Sequence, residues 1–235
     1  MQANMKEYAK QILARLKRKY GNELHTMLRH RNNVQLFVAV LLSPQCSDVQ
    51  TNKVTKRLFE KYKTFADYAN ADLKQLTNDL RGLNYYKTKA KHLREASKQI
   101  LLLYDGKIPR SMKELLTLKG VGRKVANVIL SEAFDINEGI AVDTHVKLVS
   151  YRLGLTKSKD PEKIEKDLMA VYPREEWGDV SNAFIALGRD ACTALKKKCE
   201  RCVLKDICPS SSVKAKQNAK KSSSDFGLAD SSGNL

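Results

Sequence analysis

The chain is predicted to be all-α, with about ten helices, and three observations carry that prediction. Apolar residues recur at helical spacing, as in Tyr8, Ile12, Leu16 and Tyr20. Side chains that cap helix N-termini stand just before such runs, as Ser47, Ser111, Asp143 and the pair Asp160-Pro161 do. No internal repeat and no confident strand interrupts the pattern, and 235 residues that are 42% hydrophobic can bury a substantial core.

The first helix runs through Tyr20, carries Lys and Arg on its outer face and ends at Gly21-Asn22. A short helix is expected around Leu24 to Leu28. Val34 to Leu42 is apolar on nearly all sides, which periodicity alone leaves as buried strand or buried helix; its helical surroundings decide for helix. After the polar break Ser43-Pro44-Gln45-Cys46, Ser47 and Gln50 form a capping box for a helix reaching about Tyr62. Short helices follow at Phe65 to Tyr68 and Leu73 to Leu80, then the glycine turn from Arg81 to Lys87. The long helix from Tyr86 to Tyr104, with Ala90, Leu93, Ile100 and Leu101 inward, is stopped by Asp105-Gly106.

Ser111 with Glu114 opens the next short helix, and Gly120 and Gly122 break it before a second helix packs through Val125, Val128 and Ile129. Two glycines allow positive φ and close approach of another backbone, so a turn of this kind can point amides outward, directly ahead of a helix N-terminus. With Lys119, Arg123 and Lys124 around it, the segment from Leu116 to Leu130 reads as a helix-hairpin-helix element that grips a nucleic-acid backbone without reading bases. A plain helix C-cap is the simpler alternative, and the basic neighbours weigh against it. Asp143 caps a helix continuing to Leu153, Pro161 opens one to Tyr172, and the last long helix spans Trp177 to Ala194. The Ser- and Lys-rich stretch 210–235 lacks an apolar pattern and is predicted to be disordered.

Lys and Arg number 43 against 26 Asp and Glu, a formal net charge of +17, which points to a polyanionic partner. No apolar run reaches the length of a membrane span and the N-terminus lacks a signal-peptide core, so a cytoplasmic, nucleoid-associated location and no membrane partner are expected. Thiols stay reduced there. Cys192, Cys199, Cys202 and Cys208, separated by six, two and five residues, therefore read as a metal site, while Cys46 stands apart as a buried, inert residue. One Cys-x-x-Cys pair with two outliers favours an iron–sulfur ligand set and leaves zinc as the alternative. Lys198 and Arg201 lie in this loop, well placed to touch phosphates.

Leu118-Lys119-Gly120-Val121-Gly122-Arg123-Lys124, then Val142-Asp143-Thr144-His145, then the cysteine spacing, together resemble the endonuclease III family of DNA glycosylases with lyase activity. The resemblance spans nearly the whole chain up to Cys208. It implies two helical domains, a six-helix domain at 26–136 and a discontinuous one at 1–25 and 137–209, with the four cysteines holding one 4Fe-4S cluster. It implies a monomer acting on double-stranded DNA that carries damaged bases or abasic sites. Oxidised pyrimidines would be removed and the abasic site nicked by β-elimination.

By that likeness Lys124 is the nucleophile and Asp143 the carboxylate that stabilises charge on the sugar. The chemistry suits the residue types: a neutral amine attacks C1′, and a helix N-terminus beside Arg123 disfavours added positive charge. Gln45 and Leu83 match the positions that fill the hole left by an extruded nucleotide, while Lys119, Gly120, Val121, Gly122 and Arg123 match the phosphate grip. Two positions depart from the family pattern: Lys119 stands where proline is common, and the turn carrying Gln45 has Pro44 and Cys46 in place of small residues. A mismatch-specific glycosylase of the same superfamily is the nearest alternative; a non-catalytic DNA-binding protein with a structural metal cluster is the other.

Overall fold

The computed structural model describes residues 2–22 and 24–213. The Ser/Lys-rich stretch expected to be disordered lies, from residue 214 on, outside the described residues. In chain order the helices are α1 (Gln2–Tyr20), α2 (Asn33–Leu42), α3 (Asp48–Lys61), α4 (Phe65–Asn70), α5 (Leu73–Asp79), α6 (Tyr86–Tyr104), α7 (Met112–Leu115), α8 (Arg123–Phe134), α9 (Thr144–Arg152), α10 (Pro161–Met169) and α11 (Trp177–Asp190). Among the described residues there is no strand, only an isolated bridge between Cys192 and Lys197.

The chain divides into two compact units. The first comprises Met1–Leu24, Val142–Pro173 and Val180–Leu235, the second His25–Ala141 and Arg174–Asp179. In the second, α6 lies along α4 and α5, while α2 packs on α3, α6 and α8. Every α2 residue from Leu36 to Leu42 is buried, which is why its sequence shows no polar face. Phe37 meets Phe65 edge to face at 5.5 Å, and Tyr62 stacks on Tyr68 at 5.0 Å. Each such side chain removed from water contributes about 1.5–3 kcal/mol. In the first unit Ile12, Leu13 and Leu16 of α1, Val146 and Val149 of α9, Ile164 and Leu168 of α10 and Phe184 and Leu187 of α11 form the core.

Three sequence expectations fail, each for a long-range or competing hydrogen bond. No helix forms at 24–28. Its backbone is bonded by distant side chains instead: Thr26 N–H donates to Glu132 (2.8 Å), Arg29 N–H to Asn52 (2.8 Å), and the Asn52 amide donates to Met27 O (3.0 Å). The Ser47 box is half made, because Ser47 Oγ accepts from Gln50 N–H at 3.1 Å but the Gln50 side chain donates to Gly82 O. Helix α11 stops at Asp190 rather than Ala194, where Ala191 and Cys192 N–H both turn back onto Leu187 O and the chain enters the cysteine loop.

Candidate functional site

The hairpin forms as its sequence suggests. Ser111 accepts from Glu114 N–H (3.3 Å) to start α7, Leu115, Leu118 and Val121 bury its apolar side, and Gly122 is the N-cap of α8. Gly120 has φ +82°, and a Cβ there would come within 2.7–3.0 Å of His92 on α6, so both the conformation and the space demand glycine. Burial lowers the His92 pKa and Lys119 lowers it further. The turn presents fewer amides than its glycines suggest. Lys119 N–H goes to Gln99 Oε1 (2.7 Å), whose amide in turn holds Thr117 O (3.2 Å), and Val121 N–H goes to Leu118 O (3.1 Å). The N–H groups of Gly120, Gly122 and Lys124 make no bond among the described residues, and glycine at the N-cap supplies no side-chain acceptor. That leaves a small cluster of outward donors at a helix start, with Lys119 and Arg123 exposed and Lys124 half-buried beside it.

A second turn of the same unit carries Gln45, exposed and with φ +59°. It is tied to the turn before α6. The Asn84 side chain donates to Gln45 O and its backbone N–H to Cys46 Sγ (3.2 Å), while Lys89 Nζ donates to Pro44 O (2.8 Å) and Cys46 Sγ (3.1 Å). Lys89 is 8% exposed. Sequence reasoning missed it, although it falls on the apolar stripe Tyr86, Lys89, Ala90, Leu93, where a lysine is out of place. Leu83, expected as an apolar wedge, is 3% exposed and packed in the core; Tyr85, two residues on, is the exposed side chain.

Asp143 belongs to the other unit, as the N-cap of α9. Both capping bonds, from His145 and Val146 N–H, go to Oδ1 at 2.8 Å, so Oδ2 takes no part in the cap. One carboxylate can thus close a helix and still offer an oxygen to chemistry.

The cysteine loop of that unit is anchored by Leu204, fully buried, and by side chains reaching in from the helices. Arg15 bonds Asp206 (2.6 Å) and Val203 O (3.2 Å); the Tyr8 hydroxyl lies between Ile207 O of the loop (3.4 Å) and Leu153 O at the end of α9 (3.1 Å). Arg152 donates to Cys192 O (3.0 Å), Thr193 O (2.9 Å) and Cys192 Sγ (3.3 Å). Arg201, expected to face phosphates, is ion-paired with Asp190, which also accepts from Tyr20 (3.0 Å), so its charge is spent within the unit; Lys198 is exposed.

Among the described residues no three Cys, His, Asp or Glu side chains sit close enough to hold a single metal ion. The four thiols nonetheless interact. Burial pushes Cys202 up and Cys192, Cys208 and Cys199 push it further; burial pushes Cys208 up, with Cys192 and Cys199 adding to it. Four soft sulfur ligands in one electrostatic neighbourhood fit a cationic cluster, which removes the repulsion that opposes their ionisation.

Residues 38–174 match the family described as HhH-GPD superfamily base excision DNA repair protein. Endonuclease III of Synechocystis sp. is 43% identical over 208 residues, covering 88% of this chain and 94% of its own, and that of Bacillus subtilis is 44% identical over 182 residues, covering 77% and 83%. Among solved structures, a trapped endonuclease III–DNA covalent intermediate superposes with a TM-score of 0.83 at 40% identity, over 89% of this chain and 98% of that one. No helix among the described residues is long and apolar enough to cross a membrane. Identity at this level over nearly the full length, on a hairpin of this geometry, places the chain in the endonuclease III family of base excision DNA repair proteins.

Proposed function

We propose that this chain is a bifunctional DNA glycosylase and abasic-site lyase that removes oxidised pyrimidines from duplex DNA, with Lys124 as nucleophile and Asp143 as its carboxylate partner. The observation that carries the reading is the hairpin, where a half-buried lysine stands in the first turn of α8 beside free amides of the preceding turn. A backbone phosphate received by the Gly120, Gly122 and Lys124 amides, with Lys119 and Arg123 supplying charge, leaves the sugar within reach of the amine, and Lys198 on the cysteine loop adds a basic phosphate contact of its own. Arg201 contributes through its ion pair with Asp190.

The amine of Lys124 attacks C1′, the C1′–N bond to the damaged base breaks, and the base leaves with a proton. Ring opening gives a protonated imine between Lys124 and C1′. Loss of a 2′ proton then expels the 3′ phosphate, and water releases the lysine. The free Oδ2 of Asp143 stabilises positive charge on the sugar and carries the amine's proton. Gln45 and the turn 83–85 occupy the space the extruded nucleotide leaves. Cys192, Cys199, Cys202 and Cys208 would hold a 4Fe-4S cluster, which supplies a cross-link that braces the basic loop of the discontinuous domain.

A duplex containing thymine glycol tests the reading. Base release together with a nick ending in an unsaturated 3′ aldehyde is expected. Release without a nick turns the account to a monofunctional, mismatch-type glycosylase; binding without either leaves a DNA-binding protein.

A further inference from the structure

The stripe of α6 that faces the hairpin carries two polar residues two turns apart, His92 and Gln99. Gln99 has a structural task, since it bonds Lys119 N–H and Thr117 O. His92 has none of that kind. Its half-buried ring lies against Gly120, where an added Cβ would meet Nδ1, Cβ and Cγ at 2.7–3.0 Å, yet neither ring nitrogen makes a hydrogen bond among the described residues. The Gly120, Gly122 and Lys124 amides of the same turn also lack partners. Open donors on a turn and an unbonded imidazole against it are completed by the same group, an anionic oxygen.

We infer that His92 is a further phosphate-binding residue of the hairpin, which takes up a proton as duplex DNA is bound and so adds a cation to those of Lys119 and Arg123. The charges around the ring set the sign. Lys119 of the turn acts on it directly, and α2, packed on α6, carries no charged residue. The carboxylates of the other helices packed on α6 are engaged elsewhere, Asp67 of α4 with the Lys63 and Thr64 N–H groups and Asp79 of α5 with Lys61 and Tyr62. On α6 itself Lys89, a turn before, bonds Pro44 O and Cys46 Sγ, while Glu95, a turn after, pairs with Lys98 and Arg94. Burial, with Lys119 adding to it, therefore holds the free ring neutral, its pKa below the ordinary imidazole value. A DNA phosphate at the turn reverses the balance, because its negative charge favours the imidazolium. Each unit by which it raises the pKa makes the duplex bind roughly tenfold tighter below both pKa values than above them.

This rests on the reading that the hairpin receives a DNA phosphate, and the experiment separates the two. Native protein, His92→Asn and His92→Gln are titrated at constant ionic strength, between about pH 5.5 and 8.5, against a duplex bearing a tetrahydrofuran abasic analogue. The His92 ring resonance, assigned by its absence from the variants, is followed over the same range in native protein, free and bound. Between the alkaline and the acid end native protein should gain roughly fivefold more affinity than either variant, and the His92 pKa should rise on binding. The same pH dependence in all three proteins overturns the inference, as does a His92 pKa that DNA leaves unmoved. A variant weakened equally at every pH makes His92 a spacer beneath Gly120, which overturns it too. Should both variants melt well below the native protein, the ring resonance of native protein decides alone. Undiminished affinity in a Lys119→Gln, Arg123→Gln double variant places the phosphate elsewhere, and overturns the reading of the hairpin and the inference with it.

Discussion

The hairpin turn at 116–124 and the cysteine loop at 192–208 both set basic residues around an irregular backbone, yet they are tied down differently. The hairpin is shaped by two glycines, a turn bond from Val121 to Leu118 and short helices on either side, with Gln99 and Tyr104 of α6 bonding it from outside, the latter at Thr117 Oγ1 (3.4 Å). The cysteine loop also closes short turns of its own, as from Cys202 N–H to Cys199 O and from Cys208 N–H to Leu204 O, and side chains of several elements tie it down: Arg15 and Tyr8 of α1, Arg152 of α9, and Asp190 of α11 through its pair with Arg201. Its four thiols oppose one another's ionisation, so a cationic group bridging them would add to those ties. The loss of stability on substitution should be mild in the hairpin except at Gly120, and severe at the thiols.

The largest effect is expected at the cysteines. Cys202→Ser should abolish iron binding, read from metal content and visible absorption, and lower the melting temperature by roughly 10 °C or more, since a structural metal group contributes its binding free energy to folding. A variant melting like the native protein would mean that the side-chain ties alone suffice.

Within the hairpin the two glycines should separate. Gly120→Ala forces a left-handed alanine whose Cβ meets His92, and should cost about 2–3 kcal/mol in thermal or denaturant unfolding. Gly122 has φ −99° and nothing within 4 Å of an added Cβ, so Gly122→Ala should melt within about 1 kcal/mol of native while weakening DNA binding through its outward methyl. Equal losses at both positions would break the picture of a turn shaped at one glycine and open at the other.

How much of this was legible beforehand follows the same division. Helix starts were readable because the bond that makes them is local: Ser47, Ser111, Asp143 and Asp160 each accept from an amide two or three residues on. The hairpin was readable for the same reason. The non-helical stretch 24–28 was not, because Glu132 and Asn52, far along the chain, decide it. Nor was the pairing of Arg201 with Asp190; Leu83, by contrast, reads from its residue type as a hydrophobic anchor and as a wedge only by likeness, and its burial agrees with the former. Lys89 carried a signal, a charge on an apolar stripe, but its partners are a carbonyl and a thiol more than forty residues earlier.

A smaller effect separates structure from chemistry at Asp143. Asparagine caps helices as well as aspartate, so Asp143→Asn should leave stability within about 0.5 kcal/mol while slowing base removal; Asp143→Ala should lose about 1 kcal/mol as well. Equal activity in Asp143→Asn and native protein would confine Asp143 to the cap.

The smallest concerns acid. The Arg201 hydrogen bond holds the Asp190 carboxyl below its ordinary range, with Tyr20 adding to it. A carboxylate lowered in the folded state contributes stability that is complete above its unfolded pKa, near 4, and is lost as pH falls through the folded value. Arg201 is 59% exposed and solvent screens the pair, so the loss should stay under about 1 kcal/mol, and Asp190→Asn should remove that part of the pH dependence in urea melts taken between pH 5 and 3.

The central claim is that Lys124 becomes covalently joined to C1′, and borohydride trapping on an abasic-site duplex tests it most directly, because only an imine is reduced to a stable cross-link. The account predicts a cross-linked species with native protein, absent in Lys124→Gln although that variant still binds the duplex. A native protein that binds but never cross-links, or a Lys124→Gln protein that cross-links equally well, would contradict it.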